Sequence, residues 1–262
     1  MKKRKNEKQN RLVKIVVLFL LYTGVLLVSF PILKNSILVE KATTSKITEV
    51  KNLTEITQIP FERIEAPSVS EIMKSSNDFS SIGEVQVPGV GLDLPVFAGL
   101  SQEEMIYGAG SMYPERNPQK DNLVLLGHHL GVSDLLFGKL KDAQLGDTIY
   151  LRYLSNYYAY KIQSKEVVNE ADIAVLENTA KPLLTLVTCD RGTQTTGRLV
   201  ITAKLVEDQA KDSIQTKMTK QEKVSHGQKP RLRLSMIWLP LLGIGLLLVL
   251  IMPDKAFTPH PA

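Results

Sequence analysis

Between residues 81 and 207 the chain is a train of short β-rich runs broken by turn residues, and this limits its fold more than any other feature. Residues 82–88 alternate in polarity, Gly89-Val90-Gly91 turns the chain, and residues 92–97 complete the outline of a hairpin. Residues 122–126 are a further short strand that runs into Gly127-His128-His129. Residues 148–153 and 157–162, on either side of Ser155-Asn156, make the clearest hairpin, and Glu166-Val167-Val168 extends it. Residues 183–187 and 198–205 read as two last strands around a polar loop. Helical signals are few: Ser101-Gln102-Glu103-Glu104 has the form of a capping box, and residues 134–140 allow one short helix. Seven or eight strands in about 125 residues predict an all-β barrel or sandwich with one or two short helices.

The flanks are of another kind. Residues 15–33 hold 19 consecutive uncharged residues, enough to cross a hydrocarbon core. A basic tail, residues 1–14, precedes them and predicts a cytoplasmic N-terminus with the following chain outside. The run is longer than a secretory h-region and no small-x-small site follows, so it reads as an uncleaved signal anchor. Residues 34–80 are polar, with a partial helix at 40–57, and read as an extracellular stalk. After residue 207 a lysine-bearing linker, 208–235, leads to 17 uncharged residues at 236–252, a second span, and a short tail at 253–262. Lys229, Arg231 and Arg233 before that span run against the usual charge bias, which long translocated domains largely escape.

Charge narrows the partners. The whole chain carries +5, while residues 1–14 hold seven cations against Glu7, so everything after the tail sums to −1. No broad basic face remains for nucleic acid.

Chemistry has few carriers. Cys189 is the single cysteine, so no intrachain disulfide forms, and it closes a strand beside a polar loop. A lone thiol is a small buried hydrophobe or a nucleophile, and its place at a strand end leaves both open. Four histidines exist; His226 and His260 lie in the linker and the tail, whereas His128 and His129 follow a strand at a glycine. Neighbours in an extended segment point to opposite sides, so at most one of the pair faces the thiol. Arg198 stands nine residues after Cys189, able to hold a carbonyl or an oxyanion, or to be a strand-edge charge in water. No acidic or cysteine ligands recur at metal spacing.

Together, Thr185-Leu186-Val187-Thr188-Cys189, the downstream Arg198, and Leu126-Gly127-His128-His129 about sixty residues upstream resemble the sortases, cysteine transpeptidases anchored in the membrane of Gram-positive bacteria. The likeness covers residues 81–207 and matches the family's TLxTC motif. It implies an eight-stranded β-barrel and cleavage of an LPxTG-type sorting signal between Thr and Gly, through a thioester that an amine resolves. Carried onto this chain, Cys189 is the nucleophile, His128 the general acid and base, Arg198 the oxyanion and substrate contact, and Thr188 a substrate contact. His128 is preferred to His129 because the family histidine directly follows a small residue after the strand. Partners implied are LPxTG-bearing surface proteins and an amine from a lipid-linked peptidoglycan precursor (class A) or from a pilin lysine (class C). The Gly-His-His context favours class A, and Asn77-Asp78-Phe79 lacks the proline of a class C lid. No cofactor is called for; some relatives use calcium, but nothing in the spacing, Glu103 and Glu104 included, specifies a site. A non-catalytic surface module with a buried, inert Cys189 is the reading from another class.

Overall fold

The computed structural model describes residues 12–17, 19–25, 27, 46–65, 67–76, 78–130, 135–192, 195–207 and 210–227. The chain divides into two compact units, residues 1–37 with 229–262, and residues 38–228. In the first, the described residues between 12 and 27 are helical. Among the described residues no helix is long and apolar enough to cross a membrane. Residues 18, 26 and 28–33 of the first apolar run, 15–33, and all of 236–252 lie outside the described residues.

The second unit is built on nine strands: β1 (Lys46–Glu49), β2 (Asp78–Val87), β3 (Leu92–Ala98), β4 (Ala109–Ser111), β5 (Asn122–Gly127), β6 (Thr148–Tyr153), β7 (Asn156–Asn169), β8 (Leu183–Cys189) and β9 (Gly197–Leu205). They follow the order β1-β2-β3-β4-β5-β8-β9-β7-β6, and an antiparallel β2–β6 pairing closes β2 to β9 into an eight-stranded barrel. Closure leaves no open edge around the wall. Gly83 stands where β6 crosses most closely, since a Cβ there would lie 2.0 Å from the main-chain oxygen of Arg152. The alternation in the sequence is the inside–outside alternation of the wall: Val85, Leu125, Leu151, Tyr160, Leu186 and Ile201 fill the interior.

Several local expectations shift. The aromatic hairpin forms, but its turn is Leu154-Ser155, with Tyr153 paired to Asn156. Both turn residues have positive φ, 45° and 65°, the twist a two-residue hairpin requires. The capping box becomes a single 3-10 turn, Glu104–Ile106, where Ser101 Oγ accepts from Glu104 N at 3.3 Å. The second short helix is also 3-10, Leu136–Asp142.

The larger difference lies in the expected stalk. Of the partial helix expected at 40–57, residues 40–45 lie outside the described residues, and no α-helix forms over 46–57: Lys46–Glu49 adds as β1, parallel to the first residues of β2, and Leu53–Glu55 makes a 3-10 turn. Val50 is 8% exposed and belongs to the barrel core, with Leu53 and Ile56 packed against it. Leu100 N donates to Pro60 O and Glu62 N to Leu100 O, both at 2.8 Å, and Gln102 Nε2 donates to Glu65 O at 2.5 Å. Helix α1 (Val69–Lys74) follows, and the hydroxyls of Ser75 and Tyr107 hydrogen-bond where it ends. Residues 46–76 are thus a strap along the barrel. Scattered Val, Leu and Ile give no sequence period, yet Val50, Leu53 and Ile56 pack on the barrel core. Beneath the strap Glu104 is held up to a pKa of about 7, first by burial and then by the nearby Glu103 and Glu62 carboxylates.

The segment after the barrel is also ordered. Helix α2 (Lys211–Gly227) buries Ile214 and Met218, four residues apart, against Ala159, Tyr150 and Tyr157.

Candidate active site

Three strand ends meet at the sequence-selected residues. β5 and β8 run parallel, and their register ends with Leu126 opposite Val187. His128 follows just past the end of β5, and Cys189 closes β8. β8 and β9 run antiparallel, with Cys189 directly opposite Arg198, and Val168 of β7 is the next partner across. Facing residues of paired strands share one side of a sheet. Here that side is the outside of the barrel, where Val124, Val187 and Val200 cluster with Leu126 and Val168. The same alternation gives Cys189 and Arg198 to the outer face and Thr188 to the inner one.

Each side chain has a distinct setting. Cys189 is a free thiol of intermediate exposure. His128 is 8% exposed, and its main-chain oxygen accepts from Phe137 N at 3.1 Å. The preceding residue has to be glycine for a visible reason: a Cβ at Gly127 would come within 2.6 Å of the Phe137 ring. His129 also reaches β8. Its Nδ1 lies 3.0 Å from Cys189 O, and since a carbonyl only accepts, Nδ1 carries the proton in that bond. The sequence reading, in which one histidine turns away, misses this contact. Thr188 is 3% exposed, and its Oγ is buried with no hydrogen-bond partner among the described residues.

Arg198 is pinned rather than loose. Nη1 donates to Thr195 O at 2.9 Å and Gly197 O at 3.0 Å, and Nη2 to a Glu170 carboxylate oxygen at 2.5 Å. Arg191, nearer in sequence, is 71% exposed and turns its Nε to the Asp190 carboxylate at 3.1 Å. Asp190 in turn accepts from Thr195 Oγ at 2.7 Å, and that bond is the first cause of a pKa held below the usual carboxylate range. The β8–β9 loop is therefore folded on itself by Asp190, which keeps Cys189 and Arg198 at its two roots.

The walls of the outer cluster are also fastened. Met112 and Tyr113 from the β4–β5 loop and Val175 and Leu176 from the β7–β8 loop pack against that cluster. Arg116 Nη1 donates to Asn122 O at 2.9 Å and Leu176 O at 3.0 Å, while its guanidinium stacks 3.8 Å above the Tyr113 ring. Tyr153 Oη donates to Pro114 O at 3.0 Å and Tyr160 Oη to Pro118 O at 3.1 Å; burial raises both phenol pKa values, so these donors stay neutral. Arg116 and Glu170 escape a sequence reading because each is one charged residue in a polar loop, with partners set by topology.

Among the described residues no group of three or more His, Cys, Asp or Glu is placed to hold a metal ion. Chemically, the site offers a partly exposed thiol at the end of β8, a buried imidazole just past the end of the neighbouring β5, and a fixed guanidinium opposite the thiol, a set suited to acyl transfer.

Comparison with known proteins agrees with that chemistry. The family described as Sortase domain matches residues 85–206. Sortase A of Listeria monocytogenes is 31% identical over 203 residues, covering 73% of this chain and 90% of that protein. Sortase A of Streptococcus agalactiae is 30% identical over 206 residues, covering 73% and 83%. The crystal structure of the Listeria monocytogenes sortase A superposes with a TM-score of 0.47 at 35% identity, over 48% of this chain and 88% of that one. The chain belongs to the sortase family of transpeptidases and is class A-like within it.

Proposed function

We propose that this protein is a membrane-anchored cysteine transpeptidase that cleaves an LPxTG-type sorting signal between Thr and Gly and joins the Thr to an amine of the cell-wall precursor. The observation that carries the reading is the register: Cys189 faces Arg198 across β8–β9, and β5, parallel to β8 up to Leu126 opposite Val187, leads into His128 just past its end.

The reaction then runs in two halves. The Cys189 sulfur attacks the Thr carbonyl carbon, and the carbonyl oxygen takes up negative charge beside the Arg198 guanidinium. A stabilised oxyanion of this kind is worth ~3 kcal/mol of barrier per contact. His128 protonates the Gly nitrogen as the C–N bond breaks, leaving a Thr thioester on Cys189. An incoming amine attacks the same carbon, gives its proton to His128, and expels the thiolate. Thr188, expected from the sequence as a substrate contact, faces the barrel interior opposite Leu199, so the proposal leaves it in the wall behind Cys189 rather than on the substrate. The apolar outer cluster suits the Leu and Pro of the signal.

Residues 15–33 and 236–252 are the proposed spans, with the barrel on the outer side of the cell membrane. LPxTG-bearing surface proteins and a lipid-linked peptidoglycan precursor are the proposed partners. Class C chemistry is disfavoured by Asp78 and Phe79: they lie in β2, where Phe79 is 7% exposed and packs on Tyr107 with ring centroids 4.7 Å apart. No lid over Cys189 is built from that pair.

Full-length protein in detergent, given an LPxTG peptide with either a peptidoglycan stem or bridge peptide or a pilin-derived lysine peptide, tests the whole reading. Ligation to the wall-type amine is the expected product. Ligation to the pilin lysine alone contradicts the class, and no cleavage at the Thr–Gly bond contradicts the activity.

A further inference from the structure

Glu170 stands one residue past the end of β7, and the two half-reactions give it no task. Its main-chain N donates to Thr196 O at 2.7 Å, which seats it against the loop that enters β9. From there its carboxylate meets Arg198 Nη2 at 2.5 Å, while Nη1 is held by the Thr195 and Gly197 main-chain oxygens. A guanidinium has five N–H donors in one rigid plane. The three bonds therefore fix the plane through both terminal nitrogens and leave two donors for another acceptor. Without the carboxylate, Nη2 loses its anchor and the plane can swing about the Nη1 contacts.

The pair adds little to stability. Its side chains are 27% and 48% exposed, and ion pairs open to water to that degree contribute little net free energy. A misplaced oxyanion donor, in contrast, acts directly on rate, because preorganised donors are what make such contacts effective. We infer that Glu170 is a positioning residue: its carboxylate holds the Arg198 guanidinium beside Cys189, so that the two remaining N–H groups meet the substrate carbonyl without reorganisation. What Arg198 binds rests on the transpeptidase reading; the Glu170–Arg198 tether does not.

Full-length protein with Glu170→Ala or Glu170→Gln, each also in an Arg198→Lys background, separates the possibilities. Glu170→Ala is expected to lower kcat about five- to tenfold with KM changed less than about twofold, the mark of an interaction realised in the transition state. Its Tm should stay within about 1 °C, as for a solvent-exposed pair. Glu170→Gln keeps an acceptor at the same reach and should recover most of the lost rate. With Lys at position 198, Glu170→Ala should change kcat less than about twofold, since residues acting through one contact are not additive. Arginine side-chain NMR, which needs no substrate, should resolve the Arg198 Nη hydrogens in the starting protein and find them averaged in Glu170→Ala. An equal rate loss in both backgrounds, an unchanged or raised kcat, or unchanged Nη signals would overturn the inference. Absence of turnover in the starting protein would instead reject the transpeptidase reading, leaving the NMR to decide the tether.

Discussion

His129 Nδ1 donates to the main-chain oxygen of Cys189 at 3.0 Å, so the end of β5 is tied to the end of β8 by the neighbour of the proposed acid–base residue. The two histidines sit differently: His128 is buried just past the end of β5, and His129 fastens the backbone that carries the thiol. His129→Ala should cost about 0.5–1.5 kcal/mol of stability, the net worth of one hydrogen bond, and less than about tenfold in turnover. His128→Ala should lower kcat/KM at least ~10²-fold. Thermal melts and steady-state kinetics check both. The reverse ordering of rates would exchange the two assignments.

Thr188 gives a prediction that separates stability from rate. Its buried Oγ has no partner among the described residues, so Thr188→Val removes an unsatisfied polar atom while nearly keeping shape. The variant should be as stable as the parent or up to about 1 kcal/mol more stable. Its turnover should change less than about twofold, because the hydroxyl faces the barrel interior and not the outer-face site. A severalfold loss at equal stability would instead make Thr188 a substrate contact.

The strap can be told from a stalk at Val50. A stalk residue in water tolerates truncation within about 0.5 kcal/mol. Val50 is 8% exposed in the barrel core, so Val50→Ala should cost about 1–2 kcal/mol from two lost methyl groups. Denaturant unfolding of the two proteins decides the matter.

Glu104 predicts how stability varies with pH. Its folded pKa, about 7, lies above the ordinary 4.5, so the folded state holds the proton more tightly than the unfolded one. That contribution is full below pH 4.5 and is lost as the pH rises through about 7. Melting temperature should decline over this window beyond the trend of Glu104→Gln, which lacks the titration. Parallel curves for the two proteins would show that Glu104 ionises normally.

Much of the wall was legible because a half-buried strand writes its two faces into alternate residues; β6 is the clearest example. β1 was not, since Lys46-Ile47-Thr48-Glu49 is too short and polar to show a period and owes its form to pairing with β2. The hairpin turn was misplaced by one residue because Ser155-Asn156 has turn chemistry, whereas the strand register puts positive φ on Leu154. At the site, Cys189, Arg198 and His128 carry a motif order that survives in one dimension. Glu170, 28 residues before Arg198, and Arg116, 60 before Leu176, carry none, because their partners exist only once the barrel has closed.

The central claim is that Cys189 takes the acyl group of the sorting signal. Intact-mass spectrometry of the full-length protein, incubated with an LPxTG peptide in the absence of any amine acceptor and quenched in acid, tests it most directly. The predicted result is an adduct of the LPxT acyl fragment, mapped to Cys189, removed by hydroxylamine and absent from Cys189→Ala. Peptide cleavage that persists in Cys189→Ala, or an adduct mapped to another residue, would contradict the account.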